Sequence, residues 1–538
     1  MVSDFKALVF DVGGVLLDWD RHNLVAISPE QFLTISNSTT WHSLDRGNVT
    51  LKEACQEFGN ILGEHPSTIE TALKQAQLSL KPVPALVRTV RDLKASRPDL
   101  KFYEHFEIVQ STDLPWSIFD KVFASCVEGM RKPDLCFFEH VIKEIGVNPS
   151  EMIMIDDTPE NICAARSLGM HAIFVHKSLP SASKILLNLL QDPIERAEVF
   201  LKDNATEHHS VVEGHEELTL KDNFSQLMIW ELTDDEDIVY LKWPYKRTHG
   251  SNGPRINSAI SNGYSTGHTN GHANSNVNSH TNGNIVYNPN GNDFPASKVE
   301  NGLWNYFFEA PVLTTHDFPA DADTTATAYL SLPEQHLATM PDVRLVLAKM
   351  SDNLDLDGIM QVYFDPKRPR TVPEVCCNIL RLFHKFGFGS DPRAKKSENY
   401  VVDCLNNNAC LDGTRHYSTP ESFLYFVARL YAETPSDVLR KRLNAIKAQL
   451  IDRLSVPTNP LALALRLFAC QLVDLGPELY RKDLETLASL QEEDGGWPAG
   501  HFCRLGRTGT CIGNRGLTTA LAVRILRQEK RAVKTSRV

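Results

Sequence analysis

The sequence predicts a multidomain chain in which an α/β doubly wound domain with a helical cap precedes an all-α domain. Three observations carry that expectation. An apolar strand, Ala7 to Phe10, runs into Asp11 and a Gly13-Gly14 turn. A largely helical stretch from Pro29 to Lys94 then interrupts an alternation of strands and helices that resumes at Phe106. From Pro295 to Arg527 the apolar periodicity is helical. With 538 residues the chain also exceeds what one core usually organises.

Residues 1–195 form the first domain, and the inserted helices after its first strand read as the cap. Residues 196–246 read as a connecting segment that joins the helical domain, with folded stretches at Gln226 to Trp230 and Ile238 to Leu241. Residues 247–293 are Asn, Gly, Ser, Thr and His with almost no apolar side chains, so they cannot offset their ordering entropy and read as a disordered loop. His268, His272 and His280 lie in that loop without carboxylate support, and read as linker rather than metal ligands. Residues 294–530 carry amphipathic runs at Pro341 to Met350, Val372 to Phe386, Glu421 to Ala432 and Leu461 to Leu475. Helix after helix with short breaks fits an α-bundle or a toroidal α/α barrel.

A net charge of −12 and the lack of a basic stripe argue against a nucleic-acid partner. Eleven cysteines, including the adjacent Cys376 and Cys377, show no Cys-x-x-Cys spacing, which fits reduced thiols better than a disulfide framework. Met1 to Val12 is too short and too charged, at Asp4 and Lys6, for a signal peptide. The stretch Leu461 to Val473 is broken by Arg466 and too short to span a bilayer, so a buried helix and a cytoplasmic location are expected. Nothing in the sequence sets the oligomeric state.

Asp11 ends a predicted strand, where a carboxylate can attack phosphorus in line. Ser111, or Thr112, follows the next apolar strand near Val109 and can hold phosphoryl oxygens. Lys132 can neutralise charge on nucleophile and phosphate, and Asp156 and Asp157 after Met152 to Ile155 are hard oxygen ligands suited to Mg2+. In this order the four pieces resemble the haloacid dehalogenase superfamily of phosphatases. Asp156-Asp157-Thr158-Pro159-Glu160 also spells the Asp-Asp-x-x-Glu motif of class I terpene synthases, which adds Glu160 to the candidate metal ligands beside Asp11. One departure stands out. Many phosphatases of that superfamily place a general acid two residues after the nucleophile, where this chain has Gly13; the Gly-Gly form resembles an Asp-x-Gly-x-Val subgroup.

In the helical half, Asp321-Ala322-Asp323-Thr324-Thr325 sets two carboxylates one residue apart, backed by hydroxyls. Burial and a like-charged neighbour can keep such a carboxyl protonated, fit to protonate a carbon-carbon double bond. A helix cap is the competing reading of the same residues. With Gln491-Glu492-Glu493-Asp494-Gly495-Gly496-Trp497 downstream, the motif resembles the class II terpene cyclases, whose Gln-Trp turn is structural. That resemblance selects the α/α barrel over the bundle.

Over nearly its whole length the chain resembles the fungal drimane-type sesquiterpene cyclases, in which a dehalogenase-like domain precedes a class II cyclase domain. The resemblance implies Asp323 as proton donor, Asp321 as its carboxylate partner, and Thr324 and Thr325 as groups that orient the acid. It implies farnesyl diphosphate as substrate, closure to a bicyclic drimane-type diphosphate, and Mg2+-dependent dephosphorylation to a drimenol- or albicanol-like alcohol. The alternative is a monofunctional cyclase on a dehalogenase-like scaffold. An anionic headgroup needs cations, for which Arg368, Arg370, Arg504, Arg507 and Arg515 lie beside turn-like segments. Trp304, Tyr306, Phe307, Phe308, Phe364, Tyr417, Phe423 and Tyr425 are candidate walls for a cation-holding cavity.

Overall fold

The computed structural model describes residues 5–19, 24–105, 114–245, 285–286, 294–295 and 302–536. Ser111, Thr112 and nearly all of the Asn/Gly/Ser/His-rich stretch, His268, His272 and His280 among it, lie outside the described residues. The chain divides into two compact units, Met1–Asp192 and Pro193–Val538.

In the first unit the described residues form a five-stranded parallel sheet in the order Lys121–Val122, Lys101–His105, Ala7–Asp11, Met152–Asp156, His171–Phe174. The central strands read Ala-Leu-Val-Phe-Asp and Met-Ile-Met-Ile-Asp and are buried on both faces, as helix-covered parallel strands must be. Their side chains feed two separate cores, one holding Leu8, Phe10 and Ile153, the other Ala7, Val9 and Met154. The cap is entered and left through a short ladder of Leu17–Trp19 with Leu80–Pro82. Its helices Pro29–Ser36 and Leu51–Leu62 begin with capping boxes, Ser28 with Gln31 and Thr50 with Glu53. Phe58, Ile35 and Ile69 form a core belonging to the cap alone.

In the second unit, among the described residues, six helices close a ring: Asn223–Thr233, Ala322–Ser331, Pro373–Lys385, Pro420–Glu433, Pro460–Leu472 and Arg515–Ser536. Each packs on the next, and the last returns to the first. The helices Pro193–Asp203, Lys395–Asn406, Ile446–Arg453 and Arg481–Ser489 pack outside this ring. Every residue from Leu461 to Gln471 is buried, as expected of a helix with neighbours all round. Proline at the first turn of three ring helices marks their starts, since its missing N–H has no partner there anyway. Among the described residues no helix is long and apolar enough to cross a membrane. Arg466, which interrupts the most apolar run, is fully buried and pairs with Glu421 at 2.7 Å and Asp483 at 2.9 Å.

The Gln491-to-Trp497 turn is a staple. Gln491 Nε2 donates to the carbonyls of Pro193 and Gly495 at 2.8 Å each, and Trp497 Nε1 donates to Leu487 O at 2.7 Å. Gly495 has φ +91°, and a Cβ on it would lie 2.4 Å from Arg196 O, so only glycine lets the turn close on the outer helix.

Candidate active sites

The chain leaves the central strand Ala7–Asp11 toward Lys101–His105 on one side, and Met152–Asp156 continues to His171–Phe174 on the other. Connections diverge between these two central strands, and such a divergence opens a crevice at the strand C-termini. Asp11 and Asp156 stand there. Lys132 Nζ bridges them, 2.8 Å from Asp11 Oδ1 and 2.5 Å from Asp156 Oδ2. Burial opposes the charge of Lys132, but the two carboxylates more than offset it, so the ammonium is held above its ordinary pKa. Asp156 is fixed by the Asn161 amide at 3.0 and 3.1 Å and by the Thr158 N–H at 2.9 Å.

One ligand oxygen from each of Asp11, Asp156 and Asp157 lies within 4.8 Å of the others. Burial, and then the charges of Asp11 and Asp156, push Asp157 up to about 6. Three hard oxygen donors that repel one another are a fitting place for a divalent cation, which removes that repulsion. Gly14, at φ +76°, passes directly beneath: a Cβ on it would sit 2.0 Å from Asp157 Oδ2. A Cβ on Gly13, in contrast, would meet nothing within 4 Å.

In the second unit a cavity of about 360 Å³ opens where ring helices begin. Phe224, Asp323, Thr324 and Val375 come from first turns, and Tyr417 and Ile512 from the segments leading into two further helices. Phe307, Phe318 and Tyr363 complete an aromatic wall with Phe224 and Tyr306. Asp321, Asp323 and Thr324 are buried, while Arg370, Arg415 and Arg507 are exposed and Arg368 and Arg504 half-buried. The carboxyls are therefore the floor and the guanidiniums the mouth. Arg368 pairs with Asp317 at 2.9 Å and Asp365 at 3.3 Å; Arg370, Arg415, Arg504 and Arg507 have no carboxylate partner among the described residues.

Asp321 caps the helix Ala322–Ser331, its Oδ1 accepting the Thr324 N–H at 2.7 Å. The cap reading of this motif thus holds for Asp321. Its Oδ2 is buried without a hydrogen-bond partner, and so is Thr324 Oγ1. Burial first, with the charge of Asp323, pushes Asp321 up to about 7 against the hydrogen bond from Thr324. Asp323 accepts from Asn378 Nδ2 at 2.7 Å on Oδ1 and from the Tyr417 hydroxyl on Oδ2. Burial raises its pKa; Asn378, Tyr417 and the charge of Arg381 pull the other way without cancelling it.

Asn378 cannot turn over. Its Oδ1 accepts from Arg381 Nη1 at 2.8 Å, so its NH2 must face Asp323. Arg381 is locked in turn by Glu433 at 2.8 and 3.0 Å, and Arg429 joins Glu433 to Glu231.

Comparison with known proteins finds relatives of both units. Residues 104–169 match the haloacid dehalogenase-like hydrolase family, and residues 194–257 and 284–386 the sesquiterpene cyclase astC-like C-terminal domain. Drimenol cyclase drtB of Aspergillus calidoustus is 31% identical over 537 residues, covering 97% of this chain and 88% of that protein. The chain belongs to the drimane-type sesquiterpene cyclase family. Sesquiterpene phosphatase astK of Aspergillus oryzae is 33% identical over 190 residues, 34% of this chain and 97% of that protein. A HAD family enzyme of Bacteroides thetaiotaomicron, solved as a magnesium complex, is 21% identical over 34% of this chain and 98% of its own, with a TM-score of 0.28.

Several expected site residues stand elsewhere in this cyclase. Arg515 is not at the cavity: its guanidinium chelates Asp494 at 2.7 and 2.8 Å and lies over the Phe200 ring, so it serves the Gln-Trp turn. Thr325 spends its hydroxyl on Trp304, accepting that residue's N–H at 2.9 Å. Glu160 is exposed on the first turn of Pro159–Ser167 and does not join the carboxylate cluster. Trp304 is buried against Trp243, and Phe308, Phe364, Phe423 and Tyr425 also lie off the cavity wall. Sequence reasoning passed over Asn378, Arg381, Arg415, His416, Phe224, Phe318 and Tyr363. Asn378 and Arg381 did leave a signal, polar residues three apart inside the apolar run Val375 to Phe383.

Proposed function

We propose that this chain is a bifunctional enzyme that cyclises farnesyl diphosphate to a bicyclic drimane-type diphosphate and then releases a drimenol-like alcohol. The observation that carries this is the depth order of one cavity: buried protonatable carboxyls, an aromatic wall, then unpaired guanidiniums. A prenyl diphosphate fits only with its terminal alkene at the floor and its headgroup at the mouth.

Asp323 gives the first proton. The carboxylate left behind is met at once by two fixed donors, Asn378 and Tyr417, and this charge exists only once the proton is leaving. Asp321 Oδ2 has no such waiting donor. Protonation leaves a tertiary cation, and successive attack by the inner alkenes forms two carbon-carbon bonds beside Phe224, Tyr306, Phe307, Phe318 and Tyr363. The phosphate ester is untouched throughout, which leaves it for the first unit. There Asp11 is the group that attacks phosphorus in this reading, supported by its contact with Lys132. Asp11, Asp156 and Asp157 would hold a magnesium ion, which when bound would supply charge neutralisation for the phosphoryl oxygens.

The test is mass-spectrometric product analysis after incubation with farnesyl diphosphate and Mg2+. A bicyclic sesquiterpene alcohol is expected, and linear farnesol alone sinks the proposal. Gly13 favours a second reading, in which the first unit does not hydrolyse: the phosphorylated bicycle then accumulates until an external phosphatase is added.

A further inference from the structure

We infer that the imidazole of His416 accepts the proton that ends the cyclisation. The inference rests on the cyclisation reading above. A carbocation ends in an alkene only if a base takes a proton from a neighbouring carbon, and among the described lining residues His416 is the group that suits this best.

His416 lines the cavity, and its Nε2 is buried with no hydrogen-bond partner among the described residues. A buried, unpartnered ring nitrogen is costly to keep. Asp321, whose Oδ2 is also unpartnered, lies buried at the floor away from the mouth, and the other described lining groups are poorer acceptors. The arginines are cationic, Tyr417 donates to Asp323, and burial raises Tyr363, Tyr306 and Cys503 so that they keep their protons. Asp323, once ionised, sits at the floor beside its two donors.

Depth also fits. His416 is half-buried, between the buried carboxyls and the exposed guanidiniums, and follows Arg415 in sequence. In the substrate, the second ring closes by attack of the alkene nearest the diphosphate, so the final cation lies beside the diphosphate-bearing arm. The proton must therefore be taken close to the mouth. The charges around the imidazole keep it ready: burial, then Arg415, Arg370 and Arg504, hold His416 down at about 4, so its lone pair is free at neutral pH. Tyr363, 6.0 Å away between ring centroids and edge-on, is the other ring beside it.

In the step, Nε2 takes the proton, the carbon–hydrogen electron pair becomes the alkene π bond, and the imidazolium passes its proton to solvent at the open mouth. Asp323 is reprotonated from solvent before the next turnover. No oxidant or further reactant is needed.

The experiment compares wild type, His416→Ala and His416→Gln with farnesyl diphosphate, followed by complete dephosphorylation and product analysis. In both variants substrate consumption should fall by less than about tenfold, because Asp323 still starts the reaction. The share of bicyclic alkene should fall by about tenfold or more, replaced by water-quenched hydroxylated bicycles. An unchanged ratio of alkene to hydroxylated product in either folded variant overturns the inference. Absence of any bicycle from the wild type would instead overturn the cyclisation reading. Thermal melting monitors folding, and should the alanine variant be unfolded, the glutamine variant alone decides.

Discussion

In the α/β unit, Asp11 and Asp156 stand at strand ends, tied to a lysine ammonium and beside a third carboxylate that a cation could share. In the helical unit, Asp321 and Asp323 start a helix under an aromatic wall, with only neutral donors touching them. The first arrangement sets carboxylates against an ammonium, a set suited to a metal ion or to phosphorus; in the second, burial raises both carboxyls, which suits proton donation. Identical side chains acquire opposite chemistry from their neighbours, so perturbing a neighbour should tell the two clusters apart.

The largest expected effect is Asp323→Asn, which should lower bicyclic product by about 10³-fold or more while hydrolysis of a simple phosphomonoester persists. Loss of both would mean that the clusters are not independent. Next, Asp11→Asn, or chelation of Mg2+ from the wild type, should lower alcohol release by about 10²-fold or more, with the cyclised diphosphate accumulating instead, as read by phosphate release and mass spectrometry. Asn378→Ala should lower kcat for cyclisation by about 10²-fold with a smaller change in KM, since it removes a donor needed mainly as charge develops on Asp323.

The smallest effect is on pH. Asp321 is raised from 3.8 to about 7, so the folded enzyme keeps this proton below that pH and loses it as pH rises through it. An ionised Asp321 makes Asp323 reluctant to release its own proton. Cyclisation should fall about tenfold from pH 6 to pH 8. Asp321→Asn keeps the capping oxygen but cannot ionise, and should flatten that limb.

Much of this was legible from residues alone. The strand ending on Asp11, the metal-loop aspartates and the buried helices near 373–385, 420–433 and 460–472 follow local rules of periodicity and punctuation. What escaped was long-range. Arg429 meets Glu231 across 198 residues, and Phe224 reaches the cavity from a segment that reads as mere connection. Arg515 looked like a loop cation because nothing local announces that Asp494 will hold it. Glu160 fits a motif by spacing, yet the helix that begins at Pro159 carries it away from the cluster.

The ring closes through the helix Asn223–Thr233, which precedes the low-complexity stretch, while the other five helices follow it. Any dissection of the molecule must respect that order. A fragment beginning near residue 294 lacks this helix, strips one side from both Ala322–Ser331 and Arg515–Ser536, and loses Phe224 from the cavity. A fragment that keeps the whole ring therefore starts not at the stretch that bears the motifs but at Pro193. Domain exchange between relatives, if it is to preserve the acid's surroundings, has its natural seam there.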